Sequence, residues 1–152
     1  MMRQLAYHAL NLGVGGWSTK RILVVDDSRV VRKYVARLLE REGYTIDFAA
    51  NGHEALAQMK KRFYDCVFMD LEMPVMNGQD CAKALRNWEA AIDRSRRQMI
   101  CAVSSPSAEK EEEAISSGID FYQSKPAPAS ALVNTILNFR QQDQPQPAPE
   151  DP

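Results

Sequence analysis

Two short apolar runs, each closed by aspartate, constrain the fold of this chain more than any other feature. Residues 22–25 (ILVV) are followed by Asp26 and Asp27, and residues 66–69 (CVFM) are followed by Asp70. An apolar run without polar alternation is typical of a strand that is buried on both faces. The sequence therefore predicts strands that lie inside a sheet with helices on both sides.

Helical and strand patterns alternate along the rest of the chain. Apolar residues recur at helical spacing from Val30 to Leu39, and Gly43 ends this helix. Alternating apolar residues over 44–48 predict a strand nearer the edge of the sheet. The same reasoning predicts further helices over 54–61, 81–88, 108–117 and 130–140, and further strands over 99–103 and 121–123. Strands that alternate with helices in this way predict an α/β fold, (βα)5, with a parallel sheet.

The two ends of the chain differ from this alternating region. Residues 1–19 hold a short amphipathic helical pattern before a glycine-rich stretch at 13–16. Residues 141–152 contain no large apolar side chain, so we expect a disordered Gln/Pro-rich tail. We therefore expect one domain over 20–140, an N-terminal extension or linker over 1–19, and no attached DNA-binding or catalytic output domain.

Composition excludes several classes of protein. Lys and Arg number 19 against 20 Asp and Glu, which argues against direct nucleic-acid binding through a broad basic surface. The sequence has neither an apolar run long enough to span a membrane nor a secretory signal, so we expect a cytoplasmic protein. Three cysteines without C-x-x-C spacing predict reduced core thiols rather than a disulfide framework or a zinc site.

Polar residues that close the apolar strands predict a site at one edge of the sheet. In a parallel α/β sheet, ligands bind at the carboxyl ends of the strands, near the point where the strand order reverses. In the order 2-1-3-4-5 this point lies between the first and third strands, which are followed by Asp26, Asp27 and Asp70. Ser104 and Lys125 follow the fourth and fifth strands, so we expect them at the same edge.

These residue types together indicate phosphoryl chemistry. Three carboxylates repel one another at close range, and Mg²⁺ would remove that repulsion while leaving positions open for phosphate oxygens. An aspartate beside such a cation and a lysine can attack phosphorus and form an acyl phosphate. The Lys125 ammonium would supply further positive charge, and the Ser104 hydroxyl would donate a hydrogen bond. Each feature alone has a structural explanation, such as capping of the first helix by Asp26 and Asp27.

Four segments carry these residues: ILVVDDSRVVR, FMDLEMPVMNG, AVSS and SGIDFYQSKP, and a fifth segment, NGHEAL, lies between the first two. Together they resemble the response regulator receiver domain, the phosphoacceptor module of two-component signalling, from Lys20 to about Arg140. The resemblance implies a flavodoxin-like, doubly wound fold with strand order 2-1-3-4-5. The MPVMNG segment and a long connection at 87–98 are similar to receivers of hybrid histidine kinases. That connection is either a solvated helix extension, with the arginines at 94–97 on a solvated face, or a partner contact.

The resemblance also implies the ligands of the site. Asp70 would accept a phosphoryl group from a histidine kinase or a histidine phosphotransfer protein. Asp26, Asp27 and Asp70, with the backbone carbonyl of Glu72, would hold Mg²⁺ or Mn²⁺. Glu72 would also border the phosphoryl group, at a position where the family varies the acyl-phosphate lifetime.

The resemblance implies a switch as well. Lys125 would contact the phosphoryl oxygens, and its peptide bond to Pro126 is typically cis in the family. Ser104 would follow the phosphoryl group on activation, and Tyr122 would rotate inward with it. The face formed by the fourth helix, the fifth strand and the fifth helix would meet a downstream protein. The acidic segment at 110–113 (KEEE) on the fourth helix would either tune that contact or lie on a solvated face.

Two other functions remain as alternatives. A phosphatase of the haloacid dehalogenase type also uses an aspartate nucleophile after an apolar strand, but it needs a second aspartate where Glu72 stands. A flavodoxin-like FMN-binding module needs a phosphate-binding loop after the first strand, where Asp26 and Asp27 stand instead. The leading hypothesis is a phosphoacceptor that catalyses only its own phosphorylation and dephosphorylation.

Overall fold

The computed structural model describes residues 19–94 and 96–142, and in this part of the chain strands and helices alternate. The strands are β1 (Arg21–Val25), β2 (Thr45–Ala49), β3 (Cys66–Met69), β4 (Ile100–Ser104) and β5 (Phe121–Ser124). The helices are α1 (Arg29–Glu40), α2 (Gly52–Lys61), α3 (Gly78–Ala91), α4 (Ala108–Ser116) and α5 (Ala129–Gln142). All strand pairs are parallel, in the order β2-β1-β3-β4-β5, so the predicted (βα)5 fold and strand order are confirmed. Among these helices, none combines the length and the apolar character that crossing a membrane would require.

The central strands are apolar throughout because both faces of the sheet are covered. Successive side chains of a strand point to opposite faces. In β1, Leu23 and Val25 pack with α2, α3 and α4, whereas Ile22 and Val24 pack with α1 and α5. Every residue of β3 is buried in the same way. The two core layers therefore explain the continuous apolar runs in the sequence.

Several predicted bounds shift by a few residues. Helix α2 begins at Gly52, earlier than predicted, because the Asn51 side chain caps it by accepting a hydrogen bond from the Glu54 N–H at 2.9 Å. Strand β4 includes Ser104, which we predicted to follow the strand. Strand β2 lies at the sheet edge as predicted, but Phe48 is 43% exposed because an edge strand has a neighbour on one side only.

The predictions for the chain ends are tested only in small part. Helix α5 extends to Gln142, so the first two residues of the predicted disordered tail are helical instead. Glutamine has a high helix propensity, which allows the helix to continue past its last buried turn. The rest of the tail prediction and the amphipathic pattern near the N-terminus lie outside the described residues.

The connection between α3 and β4 folds back onto the domain. The Arg94 guanidinium lies over the rings of Trp88 and Phe63, at 5.1 and 5.6 Å from their centroids, and the Arg96 guanidinium lies 4.1 Å from that of Phe63. Gln98 is fully buried and its side-chain amide hydrogen-bonds to the backbone just before β3. The prediction of a solvated face is therefore wrong for Arg94 and Arg96, because aromatic rings attract and cover their guanidinium groups.

A network of buried charges fixes the amino-terminal edge of β4. The Arg86 guanidinium lies 2.7 Å from Glu89 Oε1 and 2.9 Å from Asp120 Oδ2. Arg97 approaches the other oxygen of Asp120 at 2.9 Å, and the Ile100 N–H donates to Asp120 Oδ2 at 2.8 Å. Because both carboxylates are largely withdrawn from solvent, their charges depend on these partners.

The three cysteines, Cys66, Cys81 and Cys101, are buried free thiols, as predicted. Burial raises the pKa of Cys81 and of Cys101 to about 12. Both thiols are therefore protonated near neutral pH and act as small apolar core residues.

We expect Arg86→Leu to lower the free energy of unfolding by on the order of 3 kcal/mol, because two buried carboxylates lose their shared cation. Urea denaturation followed by circular dichroism measures this change. Arg62→Leu is the matched control, since the half-exposed Arg62 guanidinium lies 3.9 Å from Asp47. Its loss should stay below about 1 kcal/mol. Equal losses in the two variants would contradict the role assigned to Arg86.

Candidate functional site

Three carboxylates converge at the carboxyl edge of the sheet, where the strand order reverses. Val25 of β1 is paired with Met69 of β3, so the residues that follow them leave the sheet side by side. Carboxylate oxygens of Asp26, Asp27 and Asp70 lie within 4.8 Å of one another. The structure thus brings together the three aspartates that the sequence placed after separate strands.

Asp26 is held firmly at the end of β1. It is only 5% exposed, its Oδ1 accepts a hydrogen bond from the Ser28 N–H at 2.9 Å, and its carbonyl accepts one from Arg32 Nη1 at 2.6 Å. Its own N–H donates to the Ala49 carbonyl at 3.2 Å. Capping of the first helix, the structural explanation given for Asp26 and Asp27, therefore holds in part. One oxygen of Asp26 orders the start of α1, while its second oxygen faces the site. Asp27, in contrast, is exposed.

Lys125 reaches this cluster from the loop after β5. Its Nζ lies 3.4 Å from Asp26 Oδ2 and 3.6 Å from Asp70 Oδ2. Its backbone N–H donates to the Ser104 carbonyl at 2.7 Å, and the Lys125–Pro126 peptide bond is cis, as the resemblance implies. One ammonium offsets only one of three carboxylate charges, so the cluster keeps a strong negative potential.

Opposing effects act on the pKa of Asp70. Burial raises this pKa most, and the neighbouring Asp26 and Asp27 raise it further. The Lys125 ammonium and a hydrogen bond from the Glu72 N–H, at 3.3 Å from Oδ1, act in the opposite direction. The net direction of the pKa shift is upward, because burial and the two neighbouring carboxylates together outweigh the Lys125 ammonium and the Glu72 N–H.

The donor set fits a hard divalent cation. Mg²⁺ and Mn²⁺ prefer carboxylate and carbonyl oxygens, and Mg²⁺ usually keeps some of its water ligands. The oxygens of the three aspartates lie close enough to share one ion, and the exposure of Asp27 leaves the cluster open to solvent on one side. The carbonyl of Glu72, the further predicted ligand, belongs to the loop that directly follows Asp70.

Two glycines hold the loop that follows Asp70. The Gly78 N–H donates to the Leu71 carbonyl at 3.0 Å, and the Gly52 N–H donates to the Met76 carbonyl at 2.9 Å. A Cβ on Gly78 would lie 2.6 Å from the Asp70 carbonyl oxygen, and one on Gly52 would lie 2.7 Å from that of Met76. Only glycine permits this approach. The sequence signal for this close approach is the Asn-Gly pair at both 51–52 and 77–78.

A second polar cluster lies beside the carboxylates. Lys110 of α4 forms an ion pair with Glu72 and donates to the Ser105 hydroxyl at 3.2 Å, while the Tyr122 hydroxyl donates to the Ser105 carbonyl. Ser104, which precedes this residue, is buried at the end of β4. The hydrogen bond and charge of Lys110 lower the pKa of Glu72, and Glu72 in turn raises that of Lys110, with Asp70 adding to that rise. Lys110 was not predicted as a site residue, because the carboxylate with which it pairs, Glu72, lies 38 residues away in the sequence.

Comparison with known proteins gives a consistent result. The family model of the response regulator receiver domain matches residues 22–137. Hybrid signal transduction histidine kinase F of Dictyostelium discoideum is 36% identical over 130 residues, which cover 85% of this chain and 12% of that protein. Hybrid signal transduction histidine kinase A of the same organism is 32% identical over 121 residues, which cover 79% of this chain. The match spans only 6% of that second protein's length.

Solved structures agree with this result. The chemotaxis protein CheY4 of Vibrio cholerae superposes with a TM-score of 0.68 at 32% identity, covering 78% of this chain and 97% of that one. The receiver domain of the Saccharomyces cerevisiae response regulator Ssk1, solved with the phosphotransfer protein Ypd1, gives a TM-score of 0.73 at 25% identity. That match covers 86% of this chain and 94% of the other.

We expect Gly78→Ala to weaken Mn²⁺ binding by roughly tenfold, because the added Cβ displaces the backbone that carries Asp70. Isothermal titration with Mn²⁺ measures this change. Gly43→Ala is the matched control. Gly43 has φ +92° with open space around it, and it lies just before β2, at the amino-terminal ends of the strands and away from the aspartates. It should cost some stability but leave Mn²⁺ affinity unchanged. Unchanged Mn²⁺ affinity in Gly78→Ala would contradict the positioning role of this glycine.

Proposed function

The chain belongs to the response regulator receiver domain family, and from this premise we propose that Asp70 accepts a phosphoryl group from a phosphohistidine donor. The observation that carries this proposal is the convergence of Asp26, Asp27 and Asp70 with Lys125 at the point where the strand order reverses. Asp26 and Asp27 would hold Mg²⁺ or Mn²⁺ with Asp70. A receiver is a signalling phosphoacceptor, and we propose that this one catalyses only its own phosphorylation and dephosphorylation.

The proposed transfer is an in-line displacement at phosphorus. A carboxylate oxygen of Asp70 forms the new P–O bond, the P–N bond of the donor breaks, and the imidazole nitrogen takes the electron pair. Lys125 Nζ, 3.6 Å from Asp70 Oδ2, is placed to contact the phosphoryl oxygens and offset their charge. A divalent ion held by the carboxylates would supply the remaining positive charge. The Glu72 N–H keeps Asp70 oriented through its hydrogen bond to Oδ1.

A switch in surface contacts would follow phosphorylation. We propose that Ser104 donates its hydroxyl to the phosphoryl group and that Tyr122 moves with the loop between β4 and α4. Each of the three elements α4, β5 and α5 carries one exposed large apolar residue: Ile115, Phe121 and Leu137. Their exposure supports the proposal that α4, β5 and α5 form the contact for a downstream protein.

An apolar pocket beside the aspartates supports docking of a protein donor. The pocket has a volume of about 540 Å³, is lined by residues of α1 and of the loop before α5, and also borders Asp26, Asp70 and Lys125. Val30 and Tyr34 on α1 are 78% and 62% exposed. Since the Ssk1 receiver was solved with a phosphotransfer protein, we propose that a histidine kinase or phosphotransfer protein presents its phosphohistidine here. The buried cysteines are free thiols, which supports the proposal of a cytoplasmic location.

The two alternative functions receive no support. A haloacid-dehalogenase-type phosphatase would need a second aspartate, as general acid, two residues after its nucleophile; Glu72 stands there instead and is paired with Lys110. An FMN-binding module would need a phosphate-binding loop after β1, where Asp26 and Asp27 would repel a phosphate.

Incubation with Mg²⁺ and acetyl phosphate is expected to add one hydroxylamine-labile phosphoryl group, because Asp70 is the proposed nucleophile. Intact mass spectrometry detects the adduct, which should be absent after Mg²⁺ chelation and in Asp70→Asn. Asp93→Asn, the same change in an exposed turn, is the control and should be labelled like the wild type. An adduct that persists in Asp70→Asn would refute the proposed acceptor.

We expect the double variant Val30→Ala, Tyr34→Ala to slow transfer from a phosphohistidine protein roughly tenfold more than transfer from acetyl phosphate. Only the protein donor needs the apolar surface of α1. Rapid-quench measurements with both donors give this ratio. Ile92→Ala, a similarly exposed apolar residue at the end of α3, is the control. Equal slowing of transfer from both donors would contradict the docking surface proposed on α1.

A further inference from the structure

Lys110 joins three parts of the molecule that meet beside Asp70. Its ammonium pairs with the Glu72 carboxylate, in the loop after β3, and donates to the Ser105 hydroxyl, in the loop after β4. The residue itself lies in the first turn of α4, where its backbone N–H is capped by the Ser107 side chain. One side chain therefore ties both loops to the start of this helix.

The connection continues to the proposed phosphoacceptor. The Glu72 N–H donates to Asp70 Oδ1 at 3.3 Å, so the residue whose side chain Lys110 holds also orients the Asp70 carboxylate. A continuous chain of contacts thus runs from the Asp70 carboxylate through Glu72 to Lys110 and on to Ser105. No contact between Lys110 and Asp70 is needed for this coupling.

The charges at this position matter because the phosphodonor is an anion. The Glu72 side chain is 70% exposed, and its carboxylate adds a negative charge beside a cluster that is already acidic. Paired with Lys110, this charge is offset. Unpaired, it would repel an incoming phosphoryl group and free the backbone that holds Asp70.

We propose that Lys110 is a positioning residue for phosphorylation of Asp70, which acts by holding Glu72 and offsetting its charge while an anionic phosphodonor approaches. The inference rests on the proposed phosphorylation of Asp70. It assigns to α4 a part in the phosphorylation step itself, in addition to any contact with a downstream protein.

The test is a double-mutant cycle on the initial rate of phosphorylation by acetyl phosphate and Mg²⁺ at low ionic strength. Lys110→Ala should slow the reaction roughly threefold, as expected for loss of one exposed charge pair near the reaction. In the Glu72→Gln background the same substitution should have little effect, since no carboxylate is left to be offset. Lys110→Arg should retain the wild-type rate, and added salt should reduce the effect of Lys110→Ala.

Lys83→Ala is the matched control, because it removes the same charge from an exposed position on α3. Its rate should equal that of the wild type, and urea denaturation should show that all variants are folded. A wild-type rate in Lys110→Ala would overturn the inference, as would equal slowing in both Glu72 backgrounds. Failure of the wild type to be phosphorylated on Asp70 would instead overturn the phosphoacceptor proposal, and this inference with it.

Discussion

The parallel pairing of β1 with β3 is the constraint on which the site depends, because it brings the mutually repelling carboxylates of Asp26, Asp27 and Asp70 together. Parallel strands end at the same edge, so the pairing of β1 with β3 forces the three carboxylates to within 4.8 Å of one another. Their proximity is therefore a consequence of backbone topology. Lys125 offsets part of their charge from the loop after β5, two strands away from β3 in the sheet. This contact requires β5 and that loop to be in place. The cost of this arrangement is met by the packing of a sheet that is buried on both faces.

The charged groups at the two ends of the strands are balanced to different degrees. At the amino-terminal edge of β4, Arg86 joins Glu89 and Asp120, and backbone N–H groups complete the hydrogen bonds of both carboxylates. At the carboxyl edge the three aspartates outnumber the Lys125 ammonium that contacts two of them. At the amino-terminal edge the carboxylates are paired and hydrogen-bonded, and this network stabilises the fold. The carboxyl edge retains negative charge that a cation can neutralise.

Features that depend on neighbouring residues in the sequence were predicted, whereas features that depend on contacts between distant segments were missed. The apolar runs at 22–25 and 66–69 carry their own evidence of burial, so the fold and the placement of the aspartates follow from short segments. The covering of Arg94 by Phe63 depends on a residue brought in by the fold, and no local pattern distinguishes it from a solvated arginine. The same holds for Lys110 and Glu72, which meet only because the loops after β3 and β4 emerge at one edge. Contacts that charged side chains make with residues distant in the sequence are therefore what single-sequence reasoning misses here.

The proposed phosphoryl chemistry and the proposed docking of a protein donor use separate surfaces that meet at Asp70. The aspartates and Lys125 would act on any phosphoryl group, whereas the apolar pocket between α1 and the loop before α5 would distinguish a protein donor from a small molecule. Apolar contacts can change without disturbing the carboxylates, because Asp26 and Asp70 are held by backbone hydrogen bonds rather than by the pocket. A domain built in this way can keep one reaction while its surface adapts to different donors. That separation fits its similarity to segments that make up only 6% and 12% of two hybrid histidine kinases, and also to a chemotaxis protein matched over 97% of its length.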